Sequence, residues 1–494
     1  MKNKNVSLFD MIKLSDDEEL SENYIRYICG IESERQYKHQ EILDIKYLLD
    51  NVIVTAEGAD DFIYGYVVPQ LNKEFDLLKI TKSTCLNIEL KSGDVSTEKI
   101  KRQLLQNAHY LKLLNRKILL SYLFVSSTLS LYTLDERKNL VTVPLQDLGE
   151  VINTLENSEN LNLDKVFLPR NILVSPLNST ERFLQGDYLL TEHQENIKKS
   201  VLAYVETDTQ GRFAGITGGP GTGKTLLIYD IARKIAKTKK ILMVHSGILC
   251  DGHYALNAAL HNIKIISAKE LRLREIKDVD VVIVDEAHRL YTDSLDKIER
   301  WVKKAKTICL FSYDAGQTLS SSEKRRRTAE TIDALCGCNI YKLKNKIRTN
   351  KELALFITCL RDLTKYREEY SFPNVTIIYE PDKKKAFERA KALENQEYTY
   401  ISFTASFYNH ELDYQKSEHN THTVIGQEFE GVCMILDYNW HYNNGKLVGN
   451  IHPNPDYLFT QLLYQGLTRV RSKLAIIICS QSVLANILPL LKNS

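Results

Sequence analysis

The sequence is poor in several things that would announce a class. Its 494 residues include two tryptophans, four methionines and ten prolines, and 65 Lys and Arg face 63 Asp and Glu. The formal net charge of +2 means that no global field advertises a polyanionic partner, so any nucleic-acid surface has to come from local placement of charge. No stretch approaches about 18 uninterrupted apolar residues, so no membrane-spanning helix is expected. The opening MKNKNVSLFDMIKLSDDEEL has no apolar run after its lysines, which argues against a signal peptide. The nine cysteines are scattered, none in a CxxC, and only Cys336 and Cys338 are close together. Without a Cys/His cluster at zinc spacing, free thiols and a cytoplasmic location are the expectation. Internal repeats and low-complexity tracts are absent.

What is present is a globular balance, 43% hydrophobic and 26% charged, in a length that allows two to four domains. The clearest boundary is LPRNILVSPLNSTERFLQGDY (168 to 188), with two prolines and a polar cluster among weak periodicity. Ahead of it lie helical segments, a strand-rich stretch around 75 to 92 and a charged helix from about 96 to 115. Behind it, short apolar strands alternate with helical stretches: RFAGIT, KILMV, DVVIVD, TICLFS, YTYISF, VCMILD and LAIIIC. That alternation predicts an α/β protein with mainly parallel sheets. The expected layout is an N-terminal α/β domain over 1–170, a linker over 171–188, and two parallel α/β lobes over 189–330 and 331–494.

GGPGTGKT (218 to 225) fits G-x-x-x-x-G-K-[ST], follows the strand-like RFAGIT and opens the helical LLIYDIARKIA, as a phosphate-binding loop requires. Gly218, Gly221 and Gly223 let backbone N–H groups close on phosphate oxygens, and the helix N-terminus adds a favourable dipole. Lys224 is expected at the β- and γ-phosphates of ATP and Thr225 at Mg²⁺. VVIVDEAH (281 to 288), which places Asp285 sixty residues beyond Thr225, is an apolar strand ending in paired acids. Asp285 is expected in the Mg²⁺ shell and Glu286 at the attacking water. This pattern predicts ATP hydrolysis.

The remaining motifs resemble, in order, those of a superfamily 1 helicase motor built from two RecA-like lobes, across most of 189 to 480. LTEHQ (190 to 194) resembles the Q-motif, which implies Gln194 at the adenine. LFSYDAGQ (310 to 317) resembles motif III, which implies a γ-phosphate contact for Gln317, with Tyr313 where glycine is common. LKNKIRTN (343 to 350) resembles motif IV and offers Arg348. GQEFEGVCMILD (426 to 437) resembles motif V, and LLYQGLTRVRSKLAIII (462 to 478) resembles motif VI and offers Arg469. Arginines supplied by the second lobe would stabilise charge on the transferred phosphoryl group and make hydrolysis depend on lobe closure. The short spacing and a hairpin-like NNGK (443 to 446) are similar to compact Schlafen-type helicase domains rather than to processive members with large inserts. VHSGILCDGHYALN (244 to 257) departs from the usual strand-contacting motif, and SSSEKRRRTAE (320 to 330) reads as a solvated basic loop.

Upstream, KEFDLLKI (73 to 80) and NIELKSG (87 to 93) read as strands flanking the polar turn TKST (81 to 84). Antiparallel pairing would bring Asp76, Glu89 and Lys91 together, because alternate side chains share a face. Two carboxylates can hold one or two Mg²⁺ that activate water and stabilise a leaving 3′ oxygen, and the ammonium can orient the nucleophile. KIKRQLLQNAHYLKLL then supplies a helix with Gln106 and Tyr110 four apart on one face, Gln103 being the alternative to Gln106. D…E-x-K followed by Q-x-x-x-Y resembles the PD-(D/E)xK, restriction-endonuclease-like nuclease fold in its RecB-like or NERD-like branches. KEFD is similar to the acid-x-Asp of NERD-type domains. The resemblance implies Asp76 and Glu89 as metal ligands and makes Glu41 a candidate for an additional helical carboxylate.

These readings predict an ATP- and Mg²⁺-dependent nucleic-acid motor fused to a metal-dependent nuclease, with DNA the preferred substrate and RNA the alternative. A role in bacterial anti-phage defence or DNA repair rests on analogy alone. Three rivals remain: an RNA- or tRNA-directed nuclease triggered by ATP, a motor with a non-catalytic nucleic-acid-binding N-terminal domain, and a signalling NTPase. A partner protein or a homo-oligomer is compatible with each.

Overall fold

The computed structural model describes residues 4–29, 37–68, 73–167, 172, 174–207, 212–344, 351–404, 417–449 and 456–491. The chain divides into two compact units, Met1–Ile172 and Leu173–Ser494. Among the described residues no helix is long and apolar enough to cross a membrane.

The first unit is built on a mixed sheet in the order β1 (Ile63–Val68), β2 (Lys73–Ile80), β3 (Thr84–Lys91), β4 (Ile118–Val125), β5 (Ser130–Leu134), β6 (Leu140–Val143). Every neighbouring pair is antiparallel except β3 and β4, which run parallel and are joined across the helix Thr97–Leu111. A parallel pair needs such a crossover, whereas antiparallel β2 and β3 need only a tight turn. That turn is TKST, where the Thr81 hydroxyl accepts the N–H groups of Ser83 and Thr84. β3 is buried at seven of its eight positions, as a central strand covered on both faces must be. Ile42, Ile45 and Leu48 of the helix His39–Asp50 cover one face with Leu77 and Ile88. Ile100 and Leu104 of the crossover helix cover the other with Leu123 and Val125.

The second unit holds two parallel sheets. The first runs β12 (Ile340–Leu343), β7 (Arg212–Gly218), β11 (Ile308–Tyr313), β10 (Val281–Asp285), β8 (Ile241–His245), β9 (Ile263–Ser267), with every pair parallel. The second runs β13 (Val375–Tyr379), β18 (Val470–Ile478), β15 (Phe429–Leu436), β14 (Tyr398–Tyr400), also parallel throughout. A separate hairpin pairs β16 (Trp440–Asn443) with β17 (Lys446–Gly449). Its turn residues Asn444 and Gly445 have φ of 47° and 75°, the left-handed pair that a two-residue hairpin loop favours.

Three features of the sequence reading are revised. Val174, Leu177, Phe183 and Tyr188 fall in the expected linker but are buried in the first lobe's core. The first lobe does not stop at 330, because β12 adds to its sheet beside β7 and buries Leu343. SSSEKRRRTAE is not a loop: Ser321–Arg326 is helical. The Ser320 hydroxyl accepts the Glu323 N–H at 3.1 Å, and the Glu323 carboxylate accepts the Leu319 N–H at 2.6 Å, so serine and acid cap the helix between them.

Candidate active sites

In an all-parallel sheet, the loops leaving the C-terminal ends of the strands share one edge, and ligands bind there. At that edge β7 leads into GGPGTGKT, β10 into Asp285 and Glu286, and β11 into Asp314 and Gln317. Gly221 and Gly223 have φ of 72° and 82°, which a side chain would strain, and Gly223 caps the helix Lys224–Ile235. Gly218 answers to space instead: a Cβ there would lie 2.8 Å from Thr222 Oγ1 and 3.0 Å from Leu343. Lys224 Nζ donates to the carbonyls of Gly218 at 2.7 Å and Gly219 at 2.9 Å, and lies 3.8 Å from Asp314 Oδ2. Thr225 and Asp285 are buried beside it.

Asp285 Oδ2, Glu286 Oε2 and Asp314 Oδ2 are buried carboxylate oxygens that accept no hydrogen bond from the described residues. Hard, oxygen-only groups of this kind beside a phosphate loop fit a phosphate-bound divalent cation. Burial disfavours the charge on Glu286, but His288, Arg289, Lys224 and Arg469 outweigh it and hold the carboxyl at about 2. Burial pushes His288 down to about 3, so at neutral pH the two arginines and the lysine supply that compensation. Asp314 moves the other way, raised by burial against the opposing pull of Lys224.

Arg469 is buried, with Nε donating to Gln465 O at 3.2 Å and Nη1 to Gln427 O at 3.3 Å. Burial lowers its pKa and the attraction of Glu286 opposes this, so a second-lobe cation faces a first-lobe acid. Gln317 is buried, and its Nε2 has no acceptor among the described residues. Gln194 is engaged with the chain: its Oε1 accepts the Thr191 N–H at 3.0 Å and its Nε2 donates to Thr222 O at 3.3 Å, holding the phosphate loop. Tyr313 points away from this edge, donating its hydroxyl to Asp333 and occupying the room that Gly215 leaves. Arg348 lies outside the described residues.

Residues 212–448 match one family model. It is that of the Schlafen group 3, DNA/RNA helicase domain. The match begins at β7 and ends in β17, so it takes in the phosphate loop, the acidic pair and the hairpin. No curated protein matches the chain. Among solved structures, the chain is similar to one describing DNA unwinding at forked dsDNA by two coordinating Pif1 helicases, at 14% identity and a TM-score of 0.34. That similarity covers 59% of this chain and 92% of the other. It is also similar to the flagellar accessory protein FlaH from Methanocaldococcus jannaschii, at 16% identity and a TM-score of 0.20, over 26% of this chain and 68% of the other. Arg289 follows the helicase segment's acidic pair by three residues and contacts Glu286, a placement that the reading of motifs passed over.

In the first unit, pairing of Leu77 with Ile88 sets Asp76 and Glu89 next along their strands. The Leu90 N–H donates to Asp76 Oδ2 at 2.8 Å, and Lys91 Nζ lies 3.9 Å from the same oxygen. Glu41, Glu74 and Asp76 each offer an oxygen within 4.8 Å of the others. Lys38 Nζ bridges Glu41 at 2.7 Å and Glu74 at 2.8 Å, while Tyr64 donates to Glu41 at 3.0 Å. Glu89 accepts from Asn107 at 2.9 Å and from Gln103, and Lys73 lies 3.4 Å away. Burial and the neighbouring Asp76 push both Glu41 and Glu89 up to about 7, against the opposing lysines.

The helix residue that reaches Glu89 is therefore Gln103, with Asn107 one turn on; the described contacts give Gln106 no such bond. Tyr110 packs into the apolar cluster of Leu111 and Leu114, where burial raises its pKa to about 12. The signal for Gln103 and Asn107 was their i, i+4 spacing, which the Q-x-x-x-Y pattern overrode.

Proposed function

We propose that the chain is an ATP-hydrolysing, nucleic-acid-directed motor whose N-terminal unit cleaves phosphodiester bonds with a divalent metal. For the motor, the observation that carries most weight is the meeting of Lys224, Asp285, Glu286 and Asp314 with second-lobe Arg469. Lys224 would exchange the loop carbonyls for the β- and γ-phosphates, and Thr225 and Asp285 would hold Mg²⁺. Mg²⁺ would supply neutralisation of the phosphate oxygens. Glu286 orients the attacking water, Gln317 turns its free amide to the γ-phosphate, and Arg469 stabilises the charge that develops there. Because Arg469 comes from the other lobe, hydrolysis and lobe movement are coupled.

For the nuclease, the supporting observation is the clustering of Glu41, Glu74 and Asp76, with burial and the neighbouring Asp76 raising the pKa of Glu41 and Glu89. Asp76, Glu41 and Glu89 would hold Mg²⁺, which would supply an activated water. Lys91 orients the nucleophile, and Gln103 and Asn107 fix the Glu89 carboxylate. DNA remains the preferred substrate and defence or repair the preferred setting, on analogy. An RNA-directed enzyme is the second reading, since the matched helicase description covers both polymers.

The test incubates the full chain with linear duplex, single-stranded DNA and RNA in Mg²⁺, with and without ATP, beside Lys91→Ala and Lys224→Ala. Cleavage lost in Lys91→Ala, and altered by ATP only with Lys224 intact, is the expected result. ATPase stimulated by polymer but no cleavage of any substrate leaves a motor with a binding domain.

A further inference from the structure

The chemistry above leaves one neighbour of the Glu286 carboxylate without a role. It is Arg289, which ends the 3₁₀ turn Ala287–Arg289 and is 5% exposed. Its Nε lies 3.6 Å from Glu286 Oε2, and its Nη1 lies 3.8 Å from Glu323 Oε1. Both contacts are long for a guanidinium, and its buried Nε and Nη2 have no hydrogen-bond acceptor among the described residues.

Arg289 also lines a cavity of about 280 Å³ between the lobes. The first lobe contributes Tyr291, Glu323 and Arg326 to that cavity, and the second contributes His422, Asp456 and Tyr457. Tyr291 is 52% exposed and carries the guanidinium of Arg272 at 3.8 Å and that of Arg326 at 4.3 Å from its ring centroid. His422 and Tyr457 pair their rings at 5.1 Å. Aromatic faces interleaved with guanidinium groups suit a single strand, which offers bases to stack and phosphates to bind.

We propose that Arg289 is a positioning residue that reports strand occupancy to Glu286. With no strand in the cavity, Arg289 divides itself between Glu286 and Glu323 and restrains the Glu286 carboxylate. A phosphodiester of a single-stranded polynucleotide offers the guanidinium two short, charge-assisted bonds in place of two long contacts. Arg289 then turns to the strand, and Glu286 is free to orient water at the γ-phosphate. Hydrolysis thereby waits for the polymer. The inference rests on the motor reading of the same site.

The experiment measures steady-state ATPase of the full chain alone, with an oligo(dT) or oligo(U) strand, and with inorganic phosphate, for wild type and Arg289→Gln. The expected result is a basal rate raised ~3- to 10-fold in Arg289→Gln, with the ratio of stimulated to basal rate falling towards one. Strand affinity measured by fluorescence anisotropy falls as well, and its salt slope drops by about one. A basal rate unchanged or lowered, with the stimulation ratio kept, overturns the proposal, and so does stimulation of the wild type by inorganic phosphate in place of the strand. Should Arg289→Gln melt below the assay temperature, Glu323→Gln takes its place. Losing the outer acid leaves Arg289 on Glu286 alone, so the basal rate falls and more strand is needed for half-stimulation, and no change in either overturns the idea. A wild type without ATPase under any condition removes the motor reading itself.

Discussion

In the N-terminal unit Glu41 and Glu89 are pushed up to about 7, whereas in the motor unit Glu286 is held at about 2. All three are buried and each lies beside a second acid. Burial disfavours the charge on all three, and the difference is the balance of neighbouring charge that works against it. Around Glu41 and Glu89 the carboxylates of Asp76 and Glu74 outweigh Lys38, Lys73 and Lys91. Around Glu286 stand Arg289, Lys224 and Arg469. The first centre is short of positive charge, and in the proposed nuclease a divalent cation would complete it. The second is already rich in positive charge, and what completes it is an anion such as a phosphate chain, bringing its own cation.

The sharpest way to break this comparison is to remove one charged side chain from each centre in turn. Lys224→Ala should lower the ATPase rate by about 10²-fold or more while leaving ATP-independent cleavage unchanged. Asp76→Asn should do the reverse, with single-turnover cleavage falling by about 10²-fold or more and ATPase kept. Any substitution that abolishes both would mean that the two centres are one functional unit.

Next in size is the helix that holds Glu89. Gln103→Ala should weaken Mn²⁺ binding to the N-terminal unit by about 10- to 100-fold, read by titration calorimetry on the full chain. Gln106→Ala should leave it within about twofold. A reversed order would return the helix role to the pattern read from sequence.

The electrostatic contrast also has a sign. A carboxyl raised in the fold from its ordinary 4.5 to about 7 keeps a proton that the unfolded chain has released. The stability it contributes is intact below about 4.5 and is lost as pH rises to about 7. In EDTA, hydrogen exchange at the β2 and β3 amides should quicken from pH 5 to pH 8 beyond the intrinsic rate. Glu41→Gln should flatten that trend, and saturating Mg²⁺ should reverse it. A wild-type profile without slope would show that Glu41 and Glu89 are not starved of positive charge.

The smallest expected effect separates structure from chemistry within the motor. Tyr313→Phe removes the hydroxyl bonded to Asp333 and should cost about 1 kcal/mol of stability, measured by urea unfolding, without lowering ATPase.

How much of this was legible varied with the length of the signal. The strands RFAGIT, KILMV, DVVIVD, TICLFS, VCMILD and LAIIIC are dense apolar runs, and each is a parallel strand. β9, β12 and β13 are less legible because IKIIS, IYKL and VTIIY are short and interrupted by polar residues, and all three lie at sheet edges where the outer side pairs with no described strand. The antiparallel β2–β3 turn was legible because TKST is polar between two apolar stretches. Glu41 is reached from sequence only by analogy, and the fold brings it to Glu74 and Asp76 across a long stretch of chain. Arg289 and Lys38 were invisible for a different reason: a lone basic residue carries no pattern, and only the packing places it against an acid.

Finally, Leu343 at the end of β12 fills the space beside Gly218, the first residue of the phosphate loop. The chain leaves for the second lobe from that point. Mechanically, the last strand of the first lobe is rooted against the phosphate loop. In the proposed motor, a torque arriving along β12 would reach the phosphate loop through the pairing with β7 and the Leu343 side chain, so that load and retention of the nucleotide would become one variable.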